Sequence, residues 1–195
     1  MSKGKATRDN ILNRAFELAS ENGLESLTIG ELAKQCNMSK SGLFAHFNSK
    51  DNLQLAVLEY ANDVFIARVI EPVRQLRLAN IESKLNALLK NWLSWNHAFQ
   101  GSCMFIDAWR ENSLEQSNTQ NALKNTVESW LEYLHIQIST AVSRGEFNRE
   151  LNAKQAVFEL YGLYLSAHLY YSIHGQQISN EMFWQGVERL FKSWK

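Results

Sequence analysis

A single proline, Pro72, occurs in 195 residues, alongside only nine glycines and two cysteines. With so few backbone breakers and no run of alternating apolar and polar residues, strand-based folds are excluded and helices favoured. Two cysteines, Cys36 and Cys103, are too few for a disulfide framework. Charge of one sign is also missing, since 20 Lys and Arg balance 20 Asp and Glu. No global field draws in an anionic partner, so any such affinity must come from local placement. The longest apolar run, Ala156 to Ile173, is broken by Glu159, Ser166 and His168, which argues against a membrane span. The first residues run straight into a polar helix without a secretory signal. There is no Gly-rich phosphate loop, nucleophile elbow or closely spaced His/Cys ligand set. An enzyme, a cofactor and a metal are therefore not expected, and His97, Cys103 and Asp107 are too sparsely spaced to read as metal ligands.

What is present is a cluster of helix starts between residues 28 and 55. Thr28, with Glu31 three residues on, forms a capping box. Leu32 and Ala33 follow as inward-facing residues, and Cys36 falls inside this helix as small core packing. Asn37 takes the turn, where left-handed backbone is needed and Asn tolerates it better than most residues after Gly. Met38 plugs the corner between the helices. Ser39 caps the next helix, whose first turn is Lys40, Ser41 and Gly42, and Leu43 and Phe47 face inward four residues apart. Gly42 is a poor helix former, and its benefit is close approach to a ligand. Ser49 caps a third start, with Lys50 and Asp51 in its first turn; Leu53, Val57, Tyr60, Ala61 and Val64 then recur at helical spacing. Two helices joined by a tight turn, the second tipped with small and cationic side chains, fit a DNA major groove.

From about Thr7 to Tyr60 the chain resembles the TetR/AcrR family of transcriptional regulators. The matching residues are Thr7-Arg8, Gly23, Thr28, Leu32-Ala33, Met38-Ser39, Leu43-Phe44, His46-Phe47, Ser49-Lys50 and Leu53. It departs at Asn37, where the family usually carries Gly, and at Phe44, where a Tyr is usual and a phosphate hydrogen bond is lost. The resemblance implies that Thr28 touches a phosphate and that Lys40, Ser41 and Gly42 read base edges, with Lys40 the best reader of guanine. Ser39 is then cap and phosphate contact, and Phe44 and His46 touch backbone and thymine methyls. Lys50 clamps a phosphate with help from the helix dipole, and Lys3, Lys5 and Arg8 form a basic arm to a phosphate or the minor groove. Before Ser49, six cations (Lys3, Lys5, Arg8, Arg14, Lys34, Lys40) face five acids (Asp9, Glu17, Glu21, Glu25, Glu31). That footprint is weakly basic, so specific binding leans on dimerisation and shape fit.

Pro72 marks the end or a kink of the helix begun near Ser49. From Ile81, one face carries Leu85, Leu88, Leu89, Trp92 and Trp95; Gly101-Ser102 breaks it, and a short helix with Met104, Phe105, Ala108 and Trp109 follows. A polar linker, Glu111 to Gln120, leads to a long helix bearing Leu123, Val127, Trp130, Leu134, Ile138 and Ala141, which Gly145 stops. The next helix runs from an Asn152 cap to Ile173 and is apolar on two sides, and the final one begins near Asn180. A helix apolar on two faces needs two partners, within the chain or in a second copy. The resemblance implies the second copy, in a four-helix bundle. Its interface then holds Val157, Leu160, Tyr161, Tyr164, His168 and Tyr171, with Phe183, Val187, Leu190 and Phe191 from the last helix. Two readers about 34–36 Å apart meet successive major grooves.

The aromatics Trp92, Trp95, Phe99, Phe105, Trp109, Trp130 and Tyr133 either pack a core or line a cavity. The resemblance implies a small-molecule effector there; the apolar lining implies an aromatic or lipophilic one, with His97, Cys103, Asp107 and His168 as polar anchors. Cys103, near a helix start, also admits redox sensing.

The expectation is an all-α protein of about nine helices: a helix-turn-helix domain over 5–65, with the motif near 28–47, and an effector-binding and dimerisation domain over 66–195. It is expected to bind a palindromic double-stranded DNA operator as a homodimer, as a repressor in preference to an activator, in the cytoplasm of a bacterium and without a membrane partner. Release by a small apolar or aromatic ligand follows from the resemblance. The alternatives are a ligand- or redox-sensing helical activator and a helical enzyme.

Overall fold

The computed structural model describes residues 3–97, 103–111 and 117–195. Phe99, Gly101-Ser102 and residues 112–116 of the 111–120 linker lie outside the described residues, as do the side chains of Lys3, Lys5 and His97. The order is α1 (Lys3–Asn22), α2 (Ile29–Gln35), α3 (Lys40–Phe47), α4 (Lys50–Phe65), a π-helical turn (Ile66–Ile70), α5 (Glu71–Gln75), α6 (Ile81–His97), α7 (Met104–Glu111), α8 (Asn118–Ser143), α9 (Ala153–His174) and α10 (Gln176–Ser193). Counting α4, the π turn and α5 as one run gives nine helices among the described residues, and no strand.

The sequence expectation about Pro72 has a specific form. Pro72 stands in the first turn of α5, right after the π turn. Proline lacks the N–H that an unbroken α-helix would use and crowds the carbonyl four residues back. The wider π turn lets the helix continue past both obstacles.

The chain divides into two compact units, residues 1–65 with 102–127, and residues 66–101 with 128–195. The first unit therefore takes in α7, which a contiguous split at 65/66 would not. Within that unit the reasons are local. Phe105 meets Phe65 edge-on at 6.0 Å, Ser20 Oγ donates to Met104 Sδ at 3.8 Å, and Glu111 Oε2 accepts from the Glu25 N–H at 3.1 Å.

In the second unit, α9 and α10 pack as an antiparallel hairpin joined by Gly175 alone, at φ +81°. That glycine ends α9 and starts α10, so α10 begins at Gln176, one turn earlier than the expected start near Asn180. Ser179 Oγ, fully buried, donates to the Ala167 carbonyl at 2.7 Å and ties the two helices together. Glu146 accepts from the backbone N–H groups of Ile81 and Glu82 at 2.7 and 3.3 Å, so a carboxylate caps the start of α6. Phe147, Phe191 and Trp194 close this end as an aromatic cluster.

Candidate nucleic-acid interface

The helix starts form as their side chains dictate. Thr28 Oγ1 accepts from the Glu31 N–H at 3.2 Å, Ser39 Oγ from the Gly42 N–H at 3.1 Å, and Ser49 Oγ from the Asn52 N–H at 3.1 Å. Each hydroxyl satisfies a backbone donor that a helix start leaves open. Asn37 takes the left-handed corner at φ +52°, and Asn48 does the same at φ +64° where α3 ends. Cys36 is the C-cap of α2 rather than an interior residue, and it is half-buried. Burial pushes its thiol upward, against the opposing pull of Arg14.

α3 has an inner and an outer side. Leu43 and Phe47 are buried at 0% and 2% exposure. Ser39, Lys40, Ser41 and Phe44 face outward, and Phe44 is 49% exposed. Phe44 is the large apolar side chain on the outer side of this eight-residue helix. Lys40 has no ion-pair partner among the described residues, and its stem lies across Gly30, where an added Cβ would stand 3.2 Å from Lys40 Cε. Gly42 has an internal role beside the expected close approach. A Cβ there would lie 3.1 Å from Ser39 Oγ, the atom that caps the helix. Thr28 is exposed, and His46 is half-buried at the far end of α3.

Two other cations are engaged within the protein. Lys50 Nζ donates to the Glu25 carbonyl at 2.8 Å and to Glu25 Oε2 at 3.0 Å. Arg8 Nη1 donates to the His46 carbonyl at 3.2 Å, and its guanidinium carbon lies 4.7 Å from the centre of the Phe47 ring.

The residues expected at a dimer interface are mostly core. Val157, Leu160, Tyr164 and His168 of α9 are at most 8% exposed, as are Phe183, Val187 and Phe191 of α10. They pack within one chain and have little surface to offer a second. Tyr161, Tyr171 and Leu190 keep partial exposure. The outward stripe of α9 is a different one: Phe158, Leu165, Leu169 and Ile173 are 72%, 39%, 57% and 62% exposed. Gly162 lies on the same stripe, with open space where a Cβ would be.

The aromatic set is likewise filled from within. Trp92 stacks on Tyr164 at 3.8 Å and meets Trp130 edge-on at 5.2 Å, and Trp130 stacks near Tyr133 at 6.0 Å. Trp95 and Trp130 are buried. In the first unit, Cys103 and Phe105 are buried and Trp109 is 42% exposed. A groove of about 520 Å³ lies between α8 and α9, walled by Leu131, Val157, Phe158 and Tyr161, with Glu128, Glu132, His135 and Lys154 at its sides.

These features define a helical protein whose first unit presents a capped, outward-facing helix of the kind that enters a DNA groove. Residues 11–57 match the family model described as bacterial regulatory proteins, tetR family, and residues 82–187 match that of the tetracyclin repressor-like C-terminal domain. The chain belongs to the TetR family of transcriptional regulators, and it is not an enzyme. Among its relatives, the HTH-type transcriptional regulator UidR of Escherichia coli (strain K12) is 24% identical over 151 residues, 77% of this chain and 74% of that one. A TetR transcriptional regulator from Chloroflexus aurantiacus J-10-FL superposes with a TM-score of 0.84 at 20% identity, over 98% of this chain and 96% of that chain. AibR, solved in complex with isovaleryl coenzyme A and operator DNA, gives 0.72 at 23% identity, over 93% and 96%. No helix among the described residues is long and apolar enough to cross a membrane.

Proposed function

We propose that the protein is a homodimeric repressor, acting on DNA in the cytoplasm, which binds an inverted-repeat operator and leaves it when a small apolar or aromatic effector binds. The observation that carries this reading is the outer side of α3, where Lys40, Ser41 and the solvent-held Phe44 stand clear of the core. Lys40 reads a base edge. Phe44 contacts a thymine methyl and the neighbouring backbone, which gives its exposure a use. Thr28, Ser39 and His46 make flanking contacts, and Lys50 reaches a phosphate by leaving Glu25. The residues 5–65 carry this reader, and 66–195 carry effector binding and dimerisation.

Dimerisation is assigned to the exposed stripe of α9, Phe158, Leu165, Leu169 and Ile173, with Gly162 permitting close helix approach. The apolar walls of the α8–α9 groove favour an effector with an apolar body. The effector must bind the released form better than the DNA-bound form, or it shifts nothing.

The test is DNA binding by fluorescence anisotropy, with the region upstream of the protein's own gene as probe and scrambled duplex as competitor. Specific binding that is lost in a Lys40→Ala, Gly42→Glu double variant supports the assignment. Specific binding that survives both changes contradicts it.

A further inference from the structure

We propose that Arg8 is a positioning residue for sequence reading: it holds the far end of α3, sets the angle of Lys40 and Ser41 to the base edges, and makes no phosphate contact of its own. The proposal rests on the DNA-reading function above. Its observations are one hydrogen bond and one ring contact from a single guanidinium. Arg8 Nη1 donates to the His46 carbonyl at 3.2 Å, and the guanidinium carbon lies 4.7 Å from the Phe47 ring centre.

His46 is the next-to-last residue of α3, so its carbonyl is among those that a helix end leaves without an internal donor. The Phe44 carbonyl, two residues back, is already taken by the Asn48 N–H at 2.7 Å. A cation at this end also suits the negative pole of the helix. The ring is a fixed platform, because Phe47 is 2% exposed in the core of the first unit. One planar group thus holds α3 in two directions, by a bond to its backbone and by lying over the ring of its anchor residue. Lysine has the charge but neither the plane nor the fork to do both.

The leverage is geometric. α3 has eight residues, too few to be stable alone, so its orientation is set by tertiary contacts. Lys40 and Phe47 lie at opposite ends, about 10 Å apart at 1.5 Å per residue. A tilt of about 10° at the Phe47 end moves the Lys40 end by roughly 2 Å. That displacement is enough to break a hydrogen bond to a base edge.

This role separates from a phosphate contact by salt dependence and from a scaffold role by specificity. The variants are Arg8→Lys and Arg8→Gln, with Phe47→Leu to remove the platform while keeping an apolar anchor. Each is titrated from low to high salt with a duplex from the region upstream of the protein's own gene, and with a scrambled duplex of equal length. Folded fraction is followed by circular dichroism. The expected result is that Arg8→Lys and Arg8→Gln both lower the specific-to-scrambled affinity ratio about tenfold. The salt slope should stay unchanged, and Phe47→Leu should shift the ratio in the same direction.

Three results would overturn the proposal. The first is an Arg8→Lys variant that binds like the parent while Arg8→Gln loses about 0.9 from the salt slope, since that marks a phosphate contact. The second is a loss of folded protein with the ratio unchanged in what remains folded. The third is a parent protein that does not discriminate between the duplexes, which overturns the DNA-reading function as well.

Discussion

At the scale of single residues, the contested point is Lys50. Its ammonium is held by the carbonyl and carboxylate of Glu25 at 2.8 and 3.0 Å, with both side chains about two-fifths exposed. An exposed pair of this kind contributes under about 1 kcal/mol to stability. Its larger consequence is competition, because Lys50 must give up the Glu25 carboxylate before it can hold a phosphate. Glu25→Gln should therefore tighten binding to every duplex alike by several-fold at low salt, and the gain should shrink as salt rises. Anisotropy titrations at several salt concentrations measure this, and an unchanged affinity would show that Lys50 touches no phosphate. Lys40 should behave differently. Lys40→Ala should cost about 1–3 kcal/mol on the specific site and relax the preference at one base position. A loss spread evenly over all sequences would reassign Lys40 to the backbone. The caps were legible at this scale because a hydroxyl and the N–H three residues on are settled by local chain geometry. Arg8 and Lys50 were not, because their partners lie 38 and 25 residues away in sequence.

At the scale of helices, the hairpin of α9 and α10 depends on one glycine and one serine. Gly175 supplies a backbone conformation that a side chain would strain. Ser179 supplies a buried hydrogen bond across the pair. Ser179→Ala removes that bond while the Ala167 carbonyl keeps its place in the helix. The expected cost is about 0.5–1.5 kcal/mol in urea unfolding, and no change in midpoint would show that the bond contributes nothing net. The longer helices from α4 on were readable from apolar spacing, including α9 with its Asn152 start, whose side chain accepts from two backbone donors at 3.1 Å. The sidedness of α9 was not. A helix that is apolar on two sides gives no single period from which to tell the inner face from the outer one. The stripe through Leu160 and Tyr164 lies inside, and the stripe through Leu165 and Leu169 lies outside. The aromatic residues carried the same ambiguity. Ring-on-ring packing of Trp92, Tyr164 and Trp130 uses the surface that a cavity wall would have kept.

At the scale of the whole molecule, assembly and reading are one problem, since a neutral chain with a weakly basic footprint has little affinity for DNA from a single reader. Two readers joined rigidly add their contacts without a second loss of freedom in solution. A carboxylate in the middle of the outward stripe should divide the dimer while leaving each chain folded, because the position is already in water. Leu169→Glu should therefore sediment as a monomer, keep its helical signal and lose specific DNA binding. A folded Leu169→Glu dimer would place the interface elsewhere.

The central claim is that two copies of α3 are held at a separation matching one turn of duplex. The most direct measurement is binding stoichiometry by analytical ultracentrifugation on two duplexes. One carries an inverted repeat selected from random duplexes by binding to this protein, and the other has about five base pairs inserted between its half-sites, half a turn of B-DNA. The account predicts two chains on the first duplex and loss of that complex on the second, where one reader faces the wrong side. A single chain bound to the first duplex, or equal binding to both, would contradict it.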